Sequence, residues 1–369
     1  MKKQTTPRST IKFTAIAYLI VVIAIIALVN ACNKSRNTAT ISQVDNAIQK
    51  NAVQPVPVQG KPMAAVVTVA IIRTSGDGNS TEVMFNENEE VFTIQDAVVI
   101  AALKEALSNN TPVQITFDPW KATVLSVSKA STQEASALNA REVIHSPGTA
   151  RKIDLATMSK DIIDNPGTPA GIVPINTTSA GLTNVIPDFE TAQLMFNYIA
   201  HQCCALPGPY AVDHCITFQY CEDGCYARAH KMCWIINNRY HYGTKKIFSF
   251  ANAGNDKLCV QAEKWKGCCI NWWYHVAPLV TIQTTTGPKA YVFDPAMFDQ
   301  PVLLSTWLHA QANPACVPSG DVPHVSMINV QPTASYSPSN STGYAFDTDP
   351  AYTNTNSTLV SYRNLTSCP

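Results

Sequence analysis

The twelve cysteines of this 369-residue chain are distributed unevenly, and this distribution constrains the fold more than any other feature. Eleven of them lie in residues 182–369, whereas residues 33–202 contain none. A chain with two such compositions is expected to form two domains. In an exported protein, clustered cysteines favour a disulfide framework over a zinc site. The sequence leaves open which cysteines pair.

The N-terminus has the pattern of an export signal. Four basic residues precede Phe13–Val29, which is almost uninterrupted apolar sequence. The run Val29-Asn30-Ala31-Cys32 then resembles a bacterial lipobox, so Cys32 is a candidate lipidation site. Because the apolar stretch is long for a signal peptide, a retained transmembrane anchor is the alternative. We predict that residues 1–32 direct export and that only this segment, or a lipid, contacts the membrane.

The next part of the chain, residues 33–165, predicts a small α+β domain without catalytic groups. Apolar patterning indicates a buried strand at 64–72, a helix at 94–107 and strands near 113–117 and 123–128. The region has one histidine and no cysteine. A fold without chemistry that precedes an enzyme suits a pro-domain, and a separate binding module is the alternative.

Proline and glycine clusters follow this region and predict a processing linker at 166–181. The run Pro166-Gly167-Thr168-Pro169-Ala170-Gly171 disfavours regular structure. Exposed loops of this kind are where proteases cut. Residues 182–369 therefore remain as a separate domain that contains the cysteine cluster.

Cys225 stands out among these cysteines because of its local setting. Asp223-Gly224 predicts a turn, and the sequence after it has helical periodicity, with Cys225, Ala229 and Met232 on one face. A thiol in the first helical turn is expected to have a lowered pKa, because the helix dipole favours the thiolate. Free N–H groups at the same place can stabilise an oxyanion.

His275 and Asp294 complete a candidate constellation. Residues 273–280 predict a strand that contains His275, and residues 290–294 predict the next strand, which ends at Asp294 before a proline. A thiol, an imidazole and an orienting carboxylate are the parts of a nucleophilic cysteine enzyme. They converge if the two strands pair and the helix packs across them.

Each candidate also has a plainer interpretation. A cysteine in this cluster can be a disulfide partner, a histidine among aromatic residues can belong to the core, and an aspartate before proline can end a strand. A zinc site formed by Cys221, Cys225 and His230 is a further alternative. His230 falls off the helix face of Cys225, so we expect it to be structural or exposed.

Several sequence runs resemble the bacterial protein-glutaminases, also called protein-glutamine deamidases. The resemblance covers roughly residues 182–369. It is carried by DGCYARAHKM around Cys225, WYHVA around His275, FDPAMF around Asp294, Val185-Ile186-Pro187-Asp188, Cys215-Ile216-Thr217-Phe218 and Ser337-Pro338-Ser339-Asn340. The resemblance implies that Cys225 is the nucleophile, His275 the general base and acid, and Asp294 the group that orients the imidazole.

The resemblance also implies a fold and an activity. The expected class is α+β, with a transglutaminase/papain-like cysteine enzyme core in residues 182–369 after a small α+β pro-domain in residues 33–165. The implied reaction is deamidation of glutamine side chains in proteins, with ammonia release and without a metal or organic cofactor. The implied partners are proteins or peptides with accessible glutamine, the chain's own pro-domain as an intramolecular inhibitor, and a processing protease. The enzyme would be secreted after processing.

Other functions remain open at this stage. A transglutaminase would transfer the same thioester to an amine, a cysteine protease would cut the main chain, and a lipoprotein binding module would have no reactive thiol. Nucleic acid is not an expected partner, because Lys+Arg 26 balances Asp+Glu 26 and no basic stripe occurs.

Three cysteines depart from the family pattern, namely Cys221, Cys233 and Cys259. They are expected to form extra disulfides on an enlarged loop. Alternatively, Cys221, four residues before the nucleophile, stays reduced and can trap Cys225 in an inactive disulfide.

Overall fold

Three β-sheets organise the part of the chain described by this computed structural model, which comprises residues 61–145, 148–165, 181–205, 214–262 and 267–367. The predicted signal segment 1–32 with Cys32, and the predicted linker up to residue 180, lie outside the described residues. All described residues belong to one unit, Val53–Pro369. In these described ranges, no helix is long and apolar enough to cross a membrane.

The first sheet contains strands from both predicted domains. Nine of the described strands form it: β1 (Met63–Val67), β2 (Val69–Thr74), β3 (Thr81–Phe85), β4 (Asn88–Ile94), β5 (Val113–Asp118), β6 (Thr123–Lys129), β11 (Asp256–Ala262), β12 (Cys268–Trp272) and β16 (Val322–Pro323). The order is β1-β5-β6-β4-β12-β11-β16, and β2 and β3 extend from β4. The pairing of Glu90 with Trp272 joins β4 to β12 in antiparallel orientation.

The second and third sheets carry most of the C-terminal region. The second contains β8 (Thr149–Lys152), β9 (Val185–Ile186), β10 (Lys245–Phe250), β13 (Tyr274–Thr284), β14 (Gly287–Val292), β15 (Val302–Leu303) and β17 (Met327–Pro332). Its order is β15-β14-β13-β10-β17-β8, with β9 beside β13. The third contains β7 (Val143–His145), β18 (Ser335–Pro338) and β19 (Ala345–Thr348).

Helices pack on these sheets. They are α1 (Ala97–Asn109), α2 (Thr132–Asn139), α3 (Lys160–Asp164), α4 (Phe189–Ala200), α5 (Cys225–Arg239), α6 (Leu304–Ala310) and α7 (Thr353–Tyr362). Helix α5 contacts both β13 and α7, and eleven of its fifteen residues are buried. A helix that is buried on nearly every side is fixed by its neighbours, so its first residue has a defined position. This mixture of helices and sheets agrees with the expected α+β class.

Most of the predicted elements are present, with shifted limits. The strands predicted near 113–117 and 123–128 are confirmed as β5 and β6. The predicted helix 94–107 begins at Ala97 instead, because the Asp96 side chain caps it by accepting the main-chain N–H of Val98. The single strand predicted at 64–72 is two strands. Its halves pair with different partners, β1 with β5 and β2 with β3.

The hairpin of β3 and β4 was not predicted. Its tip, Asn86-Glu87-Asn88-Glu89-Glu90, is the composition of a solvent-exposed loop, yet four of these five residues are buried. Next to the tip, Phe85 and Phe92 enter an apolar core with Phe117. The ring centroid of Phe92 lies 5.6 Å from that of Phe85 and 5.3 Å from that of Phe117. The core anchors the hairpin, and the β4–β12 pairing joins its polar tip to the strands that the C-terminal region contributes to the same sheet.

A buried ion cluster also links the two parts of the first sheet. Lys257 on β11 contacts Glu82 on β3 at 2.5 Å and Asp321 at 2.7 Å. Arg73 on β2 contacts the other oxygen of Glu82 at 3.0 Å. Burial of these charges is tolerated because each has an opposite charge within contact distance.

Replacing Lys257 with alanine is expected to lower the free energy of unfolding by about 3–5 kcal/mol, because it leaves buried carboxylates without their cation. Urea denaturation measures the change. The matched control is Lys121→Ala, which removes an ammonium that is 78% exposed and 4.0 Å from Asp118. This control should cost less than about 1 kcal/mol. Equal costs for the two variants would show that the cluster does not stabilise the fold.

Candidate active site

Cys225 is the first residue of α5, as the sequence predicted. Gly224 precedes it with φ 89°, a left-handed conformation that suits glycine, and supplies no side-chain cap. A Cβ at Gly224 would lie 3.1 Å from the ring of Tyr362, which also favours glycine there. The first-turn N–H groups are therefore open to a ligand, and the N–H of Cys225 donates to Glu89 Oε1 at 3.3 Å.

His275 lies on β13 between aromatic side chains. Its ring stacks on Trp272 at a centroid distance of 4.2 Å and on Trp307 at 5.5 Å. These rings fix the plane of the imidazole and exclude water from its faces. Antiparallel pairing with β14 then brings the end of that strand close to the imidazole.

β14 ends at Val292, two residues before the strand end predicted at Asp294, so Asp294 lies just after the strand. His275 Nε2 donates to Asp294 Oδ2 at 2.9 Å, and Trp307 Nε1 donates to the same oxygen at 2.9 Å. Burial alone would raise the pKa of Asp294, but these hydrogen bonds and the His275 charge lower it below its ordinary value. The carboxylate therefore stays charged beside the imidazole.

Glu89, from the tip of the β3–β4 hairpin, completes the site and was missed by the sequence analysis. Its Oε2 accepts from His275 Nδ1 at 3.0 Å, and its Oε1 contacts Arg228 Nη2 at 3.2 Å. Ligand atoms of Glu89, Cys225 and His275 lie within 4.8 Å of one another. The structure thus brings together the three predicted residues and one glutamate from 136 residues earlier in the chain.

Arg228 is a second site residue that the sequence did not indicate. It is 2% exposed and lies one helical turn after Cys225. Its Nη1 donates to the carbonyl oxygens of Tyr220 and Asp223, at 2.8 and 2.6 Å, which leaves Nη2 for Glu89. A fixed guanidinium at this place favours negative charge on any oxygen that enters the position of Glu89 Oε1.

The protonation of the site differs from the sequence-based expectation. A lowered pKa was predicted for Cys225, but burial, and after it the Glu89 carboxylate, raise the pKa of this thiol well above its ordinary value. The helix-start effect is outweighed because burial disfavours the thiolate and Glu89 brings a negative charge to it. For His275, burial acts to lower the pKa, yet bonds to Asp294 and Glu89 raise it overall. With Glu89 in place, the pair is therefore a neutral thiol and an imidazolium.

The site offers sulfur, nitrogen and oxygen ligands that Zn²⁺ can accept, in Glu89, Cys225 and His275. The guanidinium of Arg228 contacts the same Glu89 carboxylate, and its positive charge opposes a second cation there. The zinc site that the sequence offered as an alternative would use different ligands, namely Cys221, Cys225 and His230. His230 instead contacts Lys246 Nζ at 2.7 Å and is buried, which fits a structural role.

The extra disulfides expected at Cys221, Cys233 and Cys259 are not formed. All three are buried thiols, and the disulfides in which both cysteines are described are Cys204–Cys215 and Cys269–Cys316. Burial raises the pKa of Cys221 to about 12 and that of Cys259 to about 12. Neutral thiols are poor nucleophiles, so these two react slowly. Trapping of Cys225 by Cys221 stays a prediction.

Comparisons with known proteins agree with the motif resemblance. A family model described as glutaminase matches residues 192–311, which include Cys225, His275 and Asp294. No curated protein matches the chain.

Solved structures give the wider match. A crystal structure of a pro-protein-glutaminase is 26% identical, and the match covers 84% of this chain and 95% of that chain with a TM-score of 0.58. A mutant of pro-protein-glutaminase is 27% identical with the same coverage and a TM-score of 0.58. The NMR structure of protein-glutaminase from Chryseobacterium proteolyticum is 33% identical and covers 51% of this chain and 93% of that chain, with a TM-score of 0.42.

The docking of the β3–β4 tip is expected to weaken as the pH rises. Burial, with the Glu89 charge, raises the pKa of Asp223 from 3.8 to about 7, and burial also raises that of Glu90. Departure of the tip removes the Glu89 charge and part of the burial, so these carboxyl groups bind fewer protons in the undocked state, and docking weakens as the pH rises towards about 7. The raised pKa of His275 acts in the same direction, because its imidazolium holds Glu89.

Hydrogen exchange measures this effect. The protection factor of the Glu89 amide, corrected for intrinsic exchange, should fall between about pH 5 and about pH 8. The amide of Val276, inside β13, is the control and should keep its protection. Protection of Glu89 that is constant or increases over this range would contradict the assigned protonation.

Proposed function

The chain belongs to the protein-glutaminase family, and we propose that it hydrolyses glutamine side chains in proteins to glutamate and ammonia through a thioester on Cys225. The observation that carries the proposal is the side chain of Glu89 in the site. Glutamate is the product of this reaction and has the length of glutamine. Its Oε1 stands in for the carboxamide oxygen of a substrate, and its Oε2 stands in for the departing nitrogen.

The geometry around Glu89 supports a role for each group. The position of Oε1 lies between the N–H of Cys225 and Arg228 Nη2, so negative charge that develops on the carboxamide oxygen would be stabilised there. The position of Oε2 faces His275 Nδ1 at 3.0 Å, so this nitrogen can protonate the leaving group.

Acylation begins from thiolate and imidazolium, which form when Glu89 leaves: His275 keeps both ring protons, and the Cys225 thiol releases its proton to water. The sulfur attacks the side-chain carbonyl carbon, His275 Nδ1 gives its proton to the amide nitrogen, and the carbon–nitrogen bond breaks so that this nitrogen leaves as ammonia. A thioester remains on Cys225. The bond from Nε2 to Asp294 holds the ring with Nδ1 toward the sulfur and stabilises the imidazolium.

Deacylation uses the same residues in reverse roles. His275 Nδ1 accepts a proton from a water molecule, whose oxygen attacks the thioester carbon. The carbon–sulfur bond breaks, which restores the Cys225 thiolate beside the His275 imidazolium. The new carboxyl group loses its proton to water and leaves as a glutamate side chain. No group outside this chain and water is required, in keeping with the cofactor-free chemistry that the family resemblance implies.

The proposal includes a fold assignment for the catalytic part. Residues 182–369 form a transglutaminase/papain-like core, supported by a thiol at a helix start, an imidazole on β13 and a carboxylate after β14. Residues 33–165 act as its pro-domain, and residues 166–181 as the processing linker. Residues 1–32 direct export, and cleavage in the linker releases the secreted enzyme.

Glu89 is the part of the pro-domain that blocks the site in this proposal. A carboxylate resists attack by the thiol, so the Glu89 side chain, which we call the plug, is chemically inert in the position where a glutamine would react. It also raises the pKa of Cys225 and so suppresses the nucleophile. Covalent attachment gives it a high effective concentration, which cleavage of the linker abolishes.

Substitution of the three site residues tests the chemistry. In protease-activated protein, Cys225→Ser and His275→Ala should lower ammonia release from an unfolded glutamine-rich protein by at least roughly 1,000-fold, and Asp294→Ala should cost less. Cys233→Ser, which changes another buried thiol of α5, is the control and should keep activity. Amine incorporation or chain cleavage as the main reaction would favour a transglutaminase or a protease. Near-normal activity of Cys225→Ser would overturn the site assignment.

Charge reversal in the pro-domain tests latency. The uncut wild-type chain should be nearly inactive, and limited proteolysis should activate it and yield a fragment that starts within about ten residues of Leu182. Glu89→Arg should make the uncut chain active, because an added cation would oppose Arg228 and the His275 imidazolium. Glu105→Arg, an exposed reversal on α1, is the control and should stay latent.

Activity after cleavage shows that each variant is folded. If Glu89→Arg is as latent as wild type before cleavage and equally active afterwards, Glu89 does not block the site. Equal activity of the wild type before and after cleavage would refute the pro-domain role itself.

A further inference from the structure

We propose that Asp223 and Trp273 form a main-chain clamp that recognises the glutamine and the residue before it in an extended peptide. The clamp deepens the proposed function and rests on it. In this proposal, the two residues select glutamine whose α-nitrogen carries an acyl group. Every internal residue of a protein has such a group.

The evidence is a set of three hydrogen bonds to the docked hairpin tip. Asp223 Oδ1 accepts the N–H of Glu89 at 3.1 Å. The N–H of Trp273 donates to the Glu89 carbonyl at 3.1 Å, and its indole Nε1 donates to the Asn88 carbonyl at 2.8 Å. All three bonds go to main-chain groups, so any residue in place of Asn88 can make them. The Glu89 side chain alone enters the site beside Cys225.

Asp223 is prepared for this role by its neighbours. It is 1% exposed, and the hydroxyl groups of Tyr226 and Tyr362 both donate to its Oδ2. These two bonds fix the carboxylate and leave Oδ1 aimed at the main chain of the hairpin tip. Buried carboxylates need donors, and an incoming peptide N–H is the donor that completes this one.

The clamp residues lie close to the reacting residues because they are near them in the sequence. Asp223 precedes Cys225 by two residues, and Trp273 precedes His275 by two residues. Each clamp residue is therefore fixed to the same short backbone segment as a reacting group. A peptide held by both presents one side chain between sulfur and imidazole, which is the pre-organisation that catalysis requires.

The bound conformation is a strand. Glu90, the next residue of the tip, pairs with Trp272 in antiparallel orientation on β12. A substrate that follows this path adds itself to a sheet edge through main-chain bonds, which is a common mode of peptide recognition. Glutamines in extended or unfolded segments fit this mode, whereas those inside helices have their main-chain groups already paired.

The clamp defines a minimal substrate. Acetyl-glutamine N-methylamide has all three main-chain groups, since the acetyl carbonyl takes the place of the Asn88 carbonyl. Glutamine N-methylamide with a free amine lacks that carbonyl. An ester analogue, in which an oxygen replaces the glutamine N–H of the acetyl compound, lacks the donor to Asp223 and adds no bulk.

Steady-state ammonia release by the protease-activated chain tests the clamp on these three compounds. The ester analogue should lose roughly 10- to 100-fold in kcat/KM relative to the acetyl compound, mainly through KM, because a bond to a buried carboxylate is lost. Trp273→Phe should lower kcat/KM on the acetyl compound by roughly 3- to 10-fold. It should not change kcat/KM on the free-amine compound, because this compound has no acyl carbonyl to which the indole N–H could donate. Trp234→Phe, at an indole 39% exposed on α5, is the control and should affect neither.

The outcomes separate the clamp from the reaction. If the wild type deamidates an unfolded protein and acts equally on the acetyl compound and the ester analogue, the clamp is overturned and the proposed function stands. A Trp273→Phe penalty that is equal on the acetyl and free-amine compounds also overturns it. If the wild type releases ammonia from neither protein nor peptide, the proposed function fails and the clamp fails with it.

Discussion

The arrangement of the site depends on one buried carboxylate, that of Glu89, which the N-terminal part of the chain places beside Cys225, Arg228 and His275. It is 0% exposed, and its charge is balanced by the N–H of Cys225, the guanidinium of Arg228 and the imidazolium of His275. Removing a carboxylate from water is costly unless donors and opposite charges surround it. These donors and charges come from the start of α5, from the arginine one turn later and from the histidine on β13. The same surroundings suit the negative charge of an acyl-transfer transition state.

In our proposal, this arrangement makes the site complete but inactive until the hairpin tip leaves. The reacting residues already lie in contact distance of a side chain with the size of the substrate. That side chain is a carboxylate. Its negative charge, together with burial, keeps the Cys225 thiol neutral, and it has no nitrogen that could leave as ammonia. In our proposal, activation therefore needs no rearrangement of the catalytic residues. It needs only the departure of the hairpin tip, after which the main-chain donors and acceptors around Asp223 and Trp273 are available to a substrate.

The sequence was sufficient to predict the placement of Cys225, His275 and Asp294, because each has a local signature. A turn before an amphipathic run fixes Cys225 at a helix start, and two adjacent apolar runs predict the paired strands of the other two. Their catalytic roles remain predictions.

Glu89 and Arg228 could not be predicted in the same way. The hairpin tip has the composition of an exposed loop, and only tertiary contacts 136 residues apart bury it. Arg228 resembles an ordinary helix-surface residue until its partners are known. The predicted direction of the Cys225 pKa shift was wrong for the same reason, since burial and, after it, the Glu89 charge raise this pKa, and both follow from tertiary contacts.

The most direct test of this account is to convert the plug into a substrate. In full-length Glu89→Gln protein, the structure places the carboxamide where Cys225 can attack it, without any processing. We predict that mass spectrometry of the purified variant finds glutamate at position 89, formed by the chain itself. The double variant with Cys225→Ser should keep the glutamine. Retention of glutamine at position 89 in the variant with an intact Cys225, after incubation at neutral pH, would contradict the assignment of this site.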